Sequence, residues 1–449
     1  MAQFAQREAI VRDGETMRYD RLVATVEDWR DALDRLALRP GSVVGVAGAD
    51  VADACAVFLA LVSNGHAAAP LPADGAPPAD YLASAGIAGI IELRGSGKWT
   101  LSRLDPPEPP ELLRQLAERR AGGVVVFSSG TTGQPKAGLF DFATLSERYR
   151  EPRRGYRTLL FLQLDHLGGI HTMLHSLAHG GTLVVSDERR PDAVCRAIEH
   201  HRVELLPATP TFLRMLALSD AWRRHDLSSL RLITYGTEPM PPATLETLTA
   251  LFPDVRFKQT YGLSELGVLP SRSKAQQSLW LQLGGVGCET RVVDNVLWIR
   301  SQTPMLGYLN APRPFDAEGW YNTEDEVEVD GPYLRILGRS TDLINVGGQK
   351  VYPAEVENAL LEMDNVREAT VWGRPNPVTG QIVAARLSLA QPEEQDALEA
   401  RLHRFCRERL APYKVPLSVE IAEGDHHNRR FKKIRPTTAG KTRWPARSS

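Results

Sequence analysis

The stretch VVVFSSGTTGQPKAGLF, Val124–Phe140, joins a hydrophobic run to a cluster of small residues that ends at Pro135 and Lys136. Val124–Phe127 has the apolar, β-branched composition of a buried strand. In the cluster after it, glycine accepts positive φ angles, hydroxyls donate hydrogen bonds and Lys136 carries a point charge, which together suit a bound phosphate. The cluster lacks the GK[ST] ending of a Walker A loop. Taken alone, the cluster is more simply interpreted as a surface turn, so other motifs along the chain must decide whether it binds phosphate.

The composition indicates a globular protein of more than one domain. The chain has 449 residues, of which 43% are hydrophobic and 24% charged, with a net charge of −2. Its four scattered cysteines include no CxxC pair, which argues against a disulfide framework and a zinc knuckle. The N-terminus lacks the apolar core of a signal peptide, and the apolar stretch Ala54–Val62 is too short to span a bilayer. We expect a cytoplasmic protein with neither nucleic acid nor membrane as partner.

The last segment of the chain departs from this charge balance. Residues Asn428–Ser449 contain eight Lys or Arg and no acid. A solvated basic tail and a segment that meets a polyanion explain this composition equally well.

Short β-branched runs alternate with amphipathic segments along most of the chain. Strands are predicted at residues 42–48, 181–186, 203–208 and 230–236, and helices at residues 52–65, 192–201 and 242–251. This alternation predicts an α/β fold with parallel-type sheets that helices cover. Ligands bind at the carboxyl ends of such strands, and both Gly130–Gly133 and Gly236–Pro239 follow predicted strands.

From about Gly284 the pattern changes to antiparallel strands separated by turns, as in Arg291–Arg300 and Pro332–Gly338. A smaller unit of helix, strand and long helix follows Arg339. We therefore predict a large N-terminal domain with a small β-barrel-like part over residues 1–339. A small, mobile C-terminal α/β domain is predicted over residues 342–449.

Six motifs make the chain resemble the adenylate-forming superfamily: acyl- and aryl-CoA ligases, luciferases and the adenylation domains of peptide synthetases. The motifs are FSSGTTGQPKA (Phe127–Ala137), YGTEP (Tyr235–Pro239), QTYGLSE (Gln259–Glu265), GWYNTEDEVEVDG (Gly319–Gly331), GRSTDLINVGGQKVYPAEVE (Gly338–Glu357) and LAPYKVP (Leu410–Pro416). They occur in the order of the family and span nearly the whole chain, which chance does not explain. Among these groups, the motifs of the chain are most similar to those of the acyl- and aryl-CoA ligases.

The resemblance implies an ATP site and a Mg²⁺ ion. It assigns the small-residue loop to the β- and γ-phosphates, Tyr261 to adenine, Asp325 to the ribose hydroxyls and Arg339 to ribose or phosphate. Glu265 is implied as the Mg²⁺ ligand, although a carboxylate after Ser264 also suits a helix start. The implied cofactor-binding residues are Ser128, Ser129, Gly130, Thr131, Thr132, Gly133, Lys136, Gly236, Thr237, Glu238, Pro239, Tyr261, Gly262, Ser264, Asp325, Arg339, Gly347 and Gly348. The implied catalytic residues are Lys441, Thr132, Glu265 and His166.

Two positions depart from the family pattern. Glu324 stands where the family usually has glycine, beside the ribose acid Asp325, and is expected to alter the turn or weaken nucleotide binding. Thr341 stands at the hinge position, two residues after Arg339, where the family usually has Asp or Lys. A β-branched hinge is expected to shift the rotation of the C-terminal domain without abolishing it.

The family also has a C-terminal lysine that stabilises charge on the phosphate during adenylation. Lys441 in TTAGK matches the family's GK pair and is our first choice. Lys433 in FKKIR is the rival, because its distance from Lys414 is closer to the usual spacing. Both also belong to the basic tail.

The segment LQLDHLGGIHTML, Leu162–Leu174, is similar to the family segment that borders the acyl pocket. His166 is the implied bordering residue. The next position is Leu167, where amino-acid-activating members place an Asp for the substrate ammonium, and Asp165 is one residue too early. A buried ammonium without a counter-charge is costly. We therefore expect an aryl or aliphatic carboxylic acid rather than an α-amino acid.

The resemblance implies ATP-dependent formation of an acyl-adenylate with release of pyrophosphate, followed by transfer to a thiol. Gly347 and Gly348 are similar to the family's glycine-rich strand, which lets a pantetheine arm approach. The thiol is CoA in the leading hypothesis, and the phosphopantetheine of a separate acyl carrier protein in the alternative. A second alternative is a nucleotide-binding homologue that has lost turnover, which Glu324, Thr341 and the displaced lysine would explain.

Overall fold

The computed structural model describes residues 1–422, except Asp13, Ala49, residues 73–78, Ser96, Pro107, residues 130–133 and Asp187. The helices are α1 (Tyr19–Leu36), α2 (Val51–Ser63), α3 (Ala79–Ala85), α4 (Glu111–Glu118), α5 (Phe142–Ser146), α6 (Leu167–Ala178), α7 (Pro191–His201), α8 (Pro210–Leu218), α9 (Ala221–Arg224), α10 (Pro242–Leu251), α11 (Pro353–Leu361) and α12 (Gln395–Arg407).

The strands are short and belong to five sheets. In chain order they are β1 (Glu8–Arg12), β2 (Glu15–Arg18), β3 (Val43–Gly48), β4 (Ala67–Pro70), β5 (Ile87–Leu93), β6 (Trp99–Arg103), β7 (Gly123–Ser129), β8 (Pro135–Asp141), β9 (Arg157–Leu159), β10 (Thr182–Val184), β11 (Leu205–Ala208), β12 (Leu232–Tyr235), β13 (Arg256–Gln259), β14 (Tyr261–Leu263), β15 (Gly267–Leu269), β16 (Ser271–Ser273), β17 (Leu281–Leu283), β18 (Cys288–Val293), β19 (Val296–Ser301), β20 (Gly307–Tyr308), β21 (Tyr321–Asp330), β22 (Tyr333–Arg339), β23 (Ile344–Val346), β24 (Gln349–Val351), β25 (Val366–Asn376), β26 (Gly380–Leu389) and β27 (Ser418–Ile421).

The first sheet has the strand order β13-β12-β11-β9-β10-β1-β2, and all its pairs are parallel except β1 with β2. This confirms the predicted parallel sheet. Helix α10 has the predicted bounds, and α7 begins one residue earlier than predicted, at Pro191. The fixed φ of proline suits the first helical position, where its missing N–H has no partner to lose.

The second sheet has the order β20-β8-β7-β4-β3-β5-β6 and is mixed. Strand β7 runs parallel to β4 on one side and antiparallel to β8 on the other. The opening sequence stretch therefore contains two paired strands, in which Val124 pairs with Phe140. Residues 130–133 follow the carboxyl end of a strand that runs parallel to β4, as the sequence indicates, and β8 comes after them.

A third, six-stranded sheet is antiparallel, with the order β16-β17-β22-β21-β19-β18. It corresponds to the predicted barrel-like part. The Arg291–Arg300 run is a hairpin whose turn residues, Asp294 and Asn295, have φ angles of 52° and 64°. Asn and Asp accept this conformation more readily than other side chains. Strands β14 and β15 form a small separate hairpin.

The fifth sheet, β24-β23-β26-β25 with β27 beside β26, begins after Arg339. Its hydrophobic cluster contains only residues from Ile344 onward, including the fully buried Val351, Leu360 and Leu398. This arrangement agrees with the mixed α/β fold class predicted for both parts of the chain. The division at residues 339 and 342 and the mobility of the second part stay predictions.

Polar contacts join this last part to the rest of the molecule. Arg214 of α8 donates to the main-chain oxygens of Leu361, Val366 and Arg367 at 3.0–3.3 Å. Over the ranges that the structure describes, no helix is long and apolar enough to cross a membrane.

Candidate active site

A cavity of about 2130 Å³ lies where the first three sheets and the start of the last part meet. Its walls include the carboxyl ends of β12 and β13, the beginning of β8, and residues of β21 and β22. Ordinary small-molecule sites are about 300–1,000 Å³, so this cavity has room for a nucleotide together with a second ligand. The sequence-predicted residues that line it are Ser128, Lys136, His166, Gly236, Thr237, Glu238, Pro239, Tyr261, Gly262, Ser264, Glu265, Asp325 and Arg339.

Asp325 on β21 connects the predicted adenine and ribose residues. Its Oδ2 accepts a hydrogen bond of 2.5 Å from the Tyr261 hydroxyl, and its Oδ1 lies 3.5 Å from the Nε of Arg339. The backbone N–H of Asp325 donates to the Thr323 hydroxyl. These contacts fix both the ring of Tyr261 and the carboxylate at the cavity wall.

Burial controls the charge states of this group. It raises the pKa of Asp325, against the opposing effects of Tyr261 and Arg339. Burial, and then the charge of Asp325, raise the pKa of Tyr261 well above its ordinary value. Tyr261 is therefore a neutral hydrogen-bond donor, and Asp325 keeps acceptor capacity that faces the cavity.

The Gly236–Pro239 segment follows β12 and has an unusual backbone. A Cβ at Gly236 would lie 2.6 Å from the main-chain and side-chain oxygens of Thr260, so the close approach of these two segments requires glycine. Thr237 has a φ angle of 73°, which is rare for a β-branched residue. The carboxylate of Glu238 accepts from the N–H of Thr211 at 2.7 Å, in the first turn of α8. The neighbouring strands thus hold this segment, which the resemblance assigns to cofactor binding, in a strained conformation.

Glu265 is only 8% exposed, and its Oε1 accepts a hydrogen bond of 2.5 Å from the hydroxyl of Tyr308. The ammonium group of Lys136 lies 5.2 Å from the centre of the Tyr308 ring. Burial and then the charge of Glu265 raise the pKa of Tyr308, so its hydroxyl stays protonated and donates. Tyr308 therefore connects the predicted metal ligand to the predicted phosphate lysine.

Asn310 supports the strand that follows the predicted phosphate-binding residues. Its side-chain amide donates to the Pro135 oxygen at 2.9 Å and accepts from the Ala137 N–H at 3.0 Å. This pair of bonds fixes the start of β8, and with it the position from which Lys136 extends. The predicted loop residues Gly130, Thr131, Thr132 and Gly133 lie outside the described residues, and Ser129 ends β7.

His166 is the N-terminal cap of α6 as well as a cavity residue. Its Nδ1 accepts from the backbone N–H of Gly168 at 3.2 Å, so a neutral ring carries its proton on Nε2. Leu167 also lines the cavity, whereas Asp165 does not. The carboxylate one residue upstream is therefore not in the cavity wall.

Other predicted residues are not brought to the cavity. Gly347 and Gly348 form the turn between β23 and β24 with φ angles of 59° and 88°, and neither lines the cavity. These positive angles are typical of a two-residue turn that favours glycine. Lys433 and Lys441 lie outside the described residues.

The departure at Glu324 coincides with a backbone constraint. Its φ angle is 60°, a left-handed conformation that glycine adopts without cost. The Asn322 side chain accepts from the Glu324 N–H at 2.9 Å and supports the turn. Glu324 therefore keeps the turn that the family's glycine would allow, at the cost of local strain.

Helix α6 places three histidines on one side, four residues apart: His171, His175 and His179. The first two line the cavity, and the Tyr149 hydroxyl lies 2.8 Å from the Nδ1 of His171. Burial, and then the charges of neighbouring cationic groups, lower the pKa of His171 to about 3 and that of His175 to about 4. These rings are neutral at physiological pH.

Acid is expected to destabilise the fold through these histidines. Below about pH 6.5 these histidines are protonated in the unfolded chain, whereas His175 in the native chain is protonated only below about pH 4. The free energy of unfolding should therefore fall with decreasing pH across this window, by up to ~1.4 kcal/mol per pH unit for each such histidine. In His175→Gln, urea titrations across the window should show a shallower loss. His200→Gln, at an exposed position of α7, is the matched control. An unchanged pH dependence in His175→Gln would contradict the assignment.

The sequence reasoning missed Tyr308 and Asn310, although both lie in the short segment GYLN after β19. It also missed Gln259, named only as the start of a motif. The Oε1 of Gln259 is buried in the cavity wall and has no hydrogen-bond partner among the described residues. A buried polar atom without a partner in a cavity wall indicates a contact with a ligand.

Comparisons with known proteins agree with this geometry. The family described as AMP-binding enzyme matches residues 1–309, and the AMP-binding enzyme C-terminal domain matches residues 355–432. A feruloyl-CoA synthase of Amycolatopsis sp. is 30% identical over 351 residues, which cover 71% of this chain and 68% of that protein. An indoleacetate–CoA ligase of Aromatoleum aromaticum is 30% identical over 324 residues, 66% of this chain and 62% of that protein.

Solved structures share the fold. The crystal structure of the anthranilate CoA ligase AuaEII in complex with anthranoyl-AMP superposes with a TM-score of 0.80 at 21% identity, over 96% of this chain and 93% of that one. Together with the family matches, this confirms the resemblance and the fold class that the six motifs indicate. The chain belongs to the family of AMP-binding enzymes, within the adenylate-forming superfamily of acyl- and aryl-CoA ligases.

Proposed function

We propose that the protein is an AMP-forming acid–thiol ligase that acts on an aryl or aliphatic carboxylic acid. In the first step an oxygen of the substrate carboxylate attacks the α-phosphorus of ATP, and pyrophosphate leaves. In the second step a thiol attacks the acyl carbon, and AMP leaves as the thioester forms. CoA is the proposed thiol, as the names of the curated relatives suggest.

One observation carries the proposal: the nucleotide-side and acid-side residues share a single cavity. Tyr261, Asp325 and Glu265 lie in the same cavity wall as His166 and Leu167. Adenylation requires the carboxylate and the α-phosphorus to meet in line, which a shared cavity allows.

We assign the adenosine to the group around Asp325. The buried ring of Tyr261 offers a face for adenine, and its position is fixed by the 2.5 Å hydrogen bond to Asp325. The remaining acceptor capacity of Asp325 suits ribose hydroxyls. Arg339, which is half exposed and 3.5 Å from Asp325, reaches ribose or phosphate from the same side.

The triphosphate lies along Ser128, Lys136 and Glu265 in this proposal. Lys136 supplies positive charge to the departing β- and γ-phosphates, and Asn310 fixes the strand that carries it. The hydroxyl of Tyr308 holds one oxygen of Glu265, and Glu265 lines the cavity.

The donor set suits Mg²⁺. Mg²⁺ binds proteins through one or two carboxylates and takes its other ligands from substrate phosphates and water. Glu265 provides one such buried carboxylate, and no cluster of three metal-binding side chains was found in the portion that the structure describes. When bound, the ion would neutralise phosphate charge; Glu265 would hold it.

The lining of the acid side disfavours α-amino acids. Leu167 occupies the wall at the position where an ammonium would need a counter-charge, and Asp165 does not line the cavity. An unpaired buried ammonium costs several kcal/mol, on the order of the desolvation cost of a charge. We therefore infer a substrate without an α-amino group.

We further propose that residues 342–449 rotate as a lid between the two steps, and that they carry the catalytic lysine, Lys441 or Lys433. The contacts across the boundary are polar and localised: those of Arg214, and a hydrogen bond and an ion pair from Tyr352 and Lys350 to the buried Glu326. Such contacts resemble those of domains that move relative to one another. Rotation would bring Gly347 and Gly348 toward the adenylate for the thiol step.

Exchange of labelled pyrophosphate into ATP, screened over a panel of carboxylic acids, tests the proposed function. Acid-dependent exchange is expected with at least one aryl or aliphatic acid, and AMP release should follow addition of CoA. AMP release with a carrier protein but not with CoA would identify a carrier-loading enzyme. Bound ATP without exchange for any acid would instead indicate the homologue that has lost turnover.

A further inference from the structure

Part of the cavity wall is formed by one face of the first sheet. Alternate residues of a strand point to opposite faces. On β12 and β13, Ile233 and Phe257 are buried in a hydrophobic cluster, whereas Thr234 and Lys258 line the cavity. Arg256 lines the cavity from the same face of β13. The same face also presents the apolar Leu205, Pro207 and Leu232, so this wall combines apolar side chains with two cations.

Lys258 is the central cation of this region. It is partly buried, and no carboxylate in the described part of the chain forms an ion pair with it. Burial, and then the charges of Arg153 and Arg256, lower its pKa. A desolvated ammonium beside two guanidinium groups is an unfavourable arrangement without an anion.

The opposite walls add no compensating negative charge. His171 and His175 of α6 are neutral, and the charge of Arg153 reaches both of them as well as Lys258. Among the carboxylates on the neighbouring segment, Glu147 is paired with Arg150 at 2.7 Å, and Glu204 is paired with Arg154 at 2.8 Å.

Glu151 also lines the cavity but is exposed, and it makes no ion pair with Arg153, Arg256 or Lys258 within the described residues. The cavity is therefore positively charged around the partly buried Lys258, with the exposed Arg153 and Arg256 on its outer side. A neutral hydrocarbon placed there would exclude water from the Lys258 ammonium group and would supply no hydrogen-bond acceptor in place of that water.

We infer that the substrate is a dicarboxylic acid whose second carboxylate is bound by Lys258, with Arg153 and Arg256 beside it. This inference rests on the proposed function, because it takes the first carboxylate to be the one that is adenylated. It narrows the substrate from any aryl or aliphatic acid to a dianion.

The fold also indicates the spacing of the two carboxylates. Lys258 lies two residues before Thr260, at the strand end next to Gly236, which is a distance of roughly 7 Å along the strand. On the facing helix, His171 lies five residues after His166, or roughly 7.5 Å along the axis. Both estimates are roughly the length of one aromatic ring or a short alkyl chain, so a spacer of that size suits the proposed diacid.

The test compares matched acids that differ only in the second carboxylate: benzoate with terephthalate, and hexanoate with adipate. In pyrophosphate exchange, kcat/KM for the better diacid is expected to exceed that for its monoacid by about 10- to 100-fold, the value of a charge-assisted hydrogen bond. Lys258→Met should abolish this preference. Lys258→Arg should retain it, and Lys98→Met, an exposed lysine outside the cavity, is the matched control.

Two results would overturn the inference: monoacids preferred in both pairs, or equal loss for both members of a pair in Lys258→Met. The thermal midpoint with each acid gives a second readout that needs no turnover. Exchange with monoacids alone would leave the proposed function standing and remove the dicarboxylate. Absence of exchange with any acid, together with a diacid-specific rise in the thermal midpoint that Lys258→Met loses, would support the bound dicarboxylate and contradict the proposed ligase activity. With neither exchange nor a diacid-specific rise, both proposals fall.

Discussion

Replacing Glu265 by glutamine is expected to lower acid-dependent pyrophosphate exchange by about 100-fold or more. The side chain keeps its shape and its acceptor for the Tyr308 hydroxyl, so the wall of the cavity should survive the change. It loses the charge that would hold Mg²⁺, and stabilisation of transferring phosphate by such an ion amounts to several kcal/mol. Exchange measured against Mg²⁺ concentration checks this, because the variant should need far more Mg²⁺ than wild type.

Glu318→Gln is the matched control, since Glu318 is an exposed glutamate that does not line the cavity. It should exchange pyrophosphate as wild type does. A Glu265→Gln enzyme with the wild-type rate and the wild-type Mg²⁺ dependence would remove Glu265 from the metal site. A loss that no Mg²⁺ concentration relieves, together with a lowered thermal midpoint, would assign Glu265 a structural role through Tyr308.

Lys441→Ala is expected to lower adenylation by about 100- to 1,000-fold, the effect of removing one donor that stabilises transition-state charge. Transfer from a supplied acyl-adenylate to CoA should stay near the wild-type rate, because the proposed lid presents another face in that step. The measurement is the two half-reactions, each followed separately in the same variant. A lysine with only a structural role would slow both half-reactions and would not separate them in this way.

Lys433→Ala serves as the counterpart, and it should adenylate at nearly the wild-type rate. The opposite pattern would assign the role to Lys433, whose distance from Lys414 is closer to the family's spacing. If neither substitution separates the two half-reactions, the proposed lysine of the rotating lid is wrong.

The motifs were sufficient for the family and the fold class because each is local in sequence. The small-residue loop, the QTYGLSE segment and the GWYNTEDEVEVDG segment each place their chemistry within a few consecutive positions. Periodicity likewise predicted α10 and the parallel strands around it, since helices and buried strands impose their own spacing on apolar residues.

Positions that are far apart in sequence could not be assigned in this way. Tyr308 and Glu265 are 43 residues apart, yet they share a hydrogen bond. Asn310 supports a strand that begins 175 residues earlier, at Pro135. No local pattern distinguishes these side chains from other polar residues in loops, because their roles depend on the pairing of β20 with β8.

The residues around the proposed acid pocket show the same difference between what the sequence and what the tertiary structure can assign. The sequence alone determined that Leu167 replaces a possible counter-charge, because a motif position can be read without coordinates. Lys258 and Arg256 look like ordinary charged residues of a short strand. Only the packing of one face of β13 into the core, which turns the other face toward the cavity, makes them candidates for binding a ligand.

By itself, then, the sequence determined the superfamily and the alternation of strands and helices along the chain, and it predicted the nucleotide residues that lie within motifs. The tertiary structure decided which distant side chains complete the site, and where uncompensated charge remains. The physical reason is that secondary structure and turns follow from neighbours along the chain, whereas burial, hydrogen-bond partners and charge balance depend on neighbours in space.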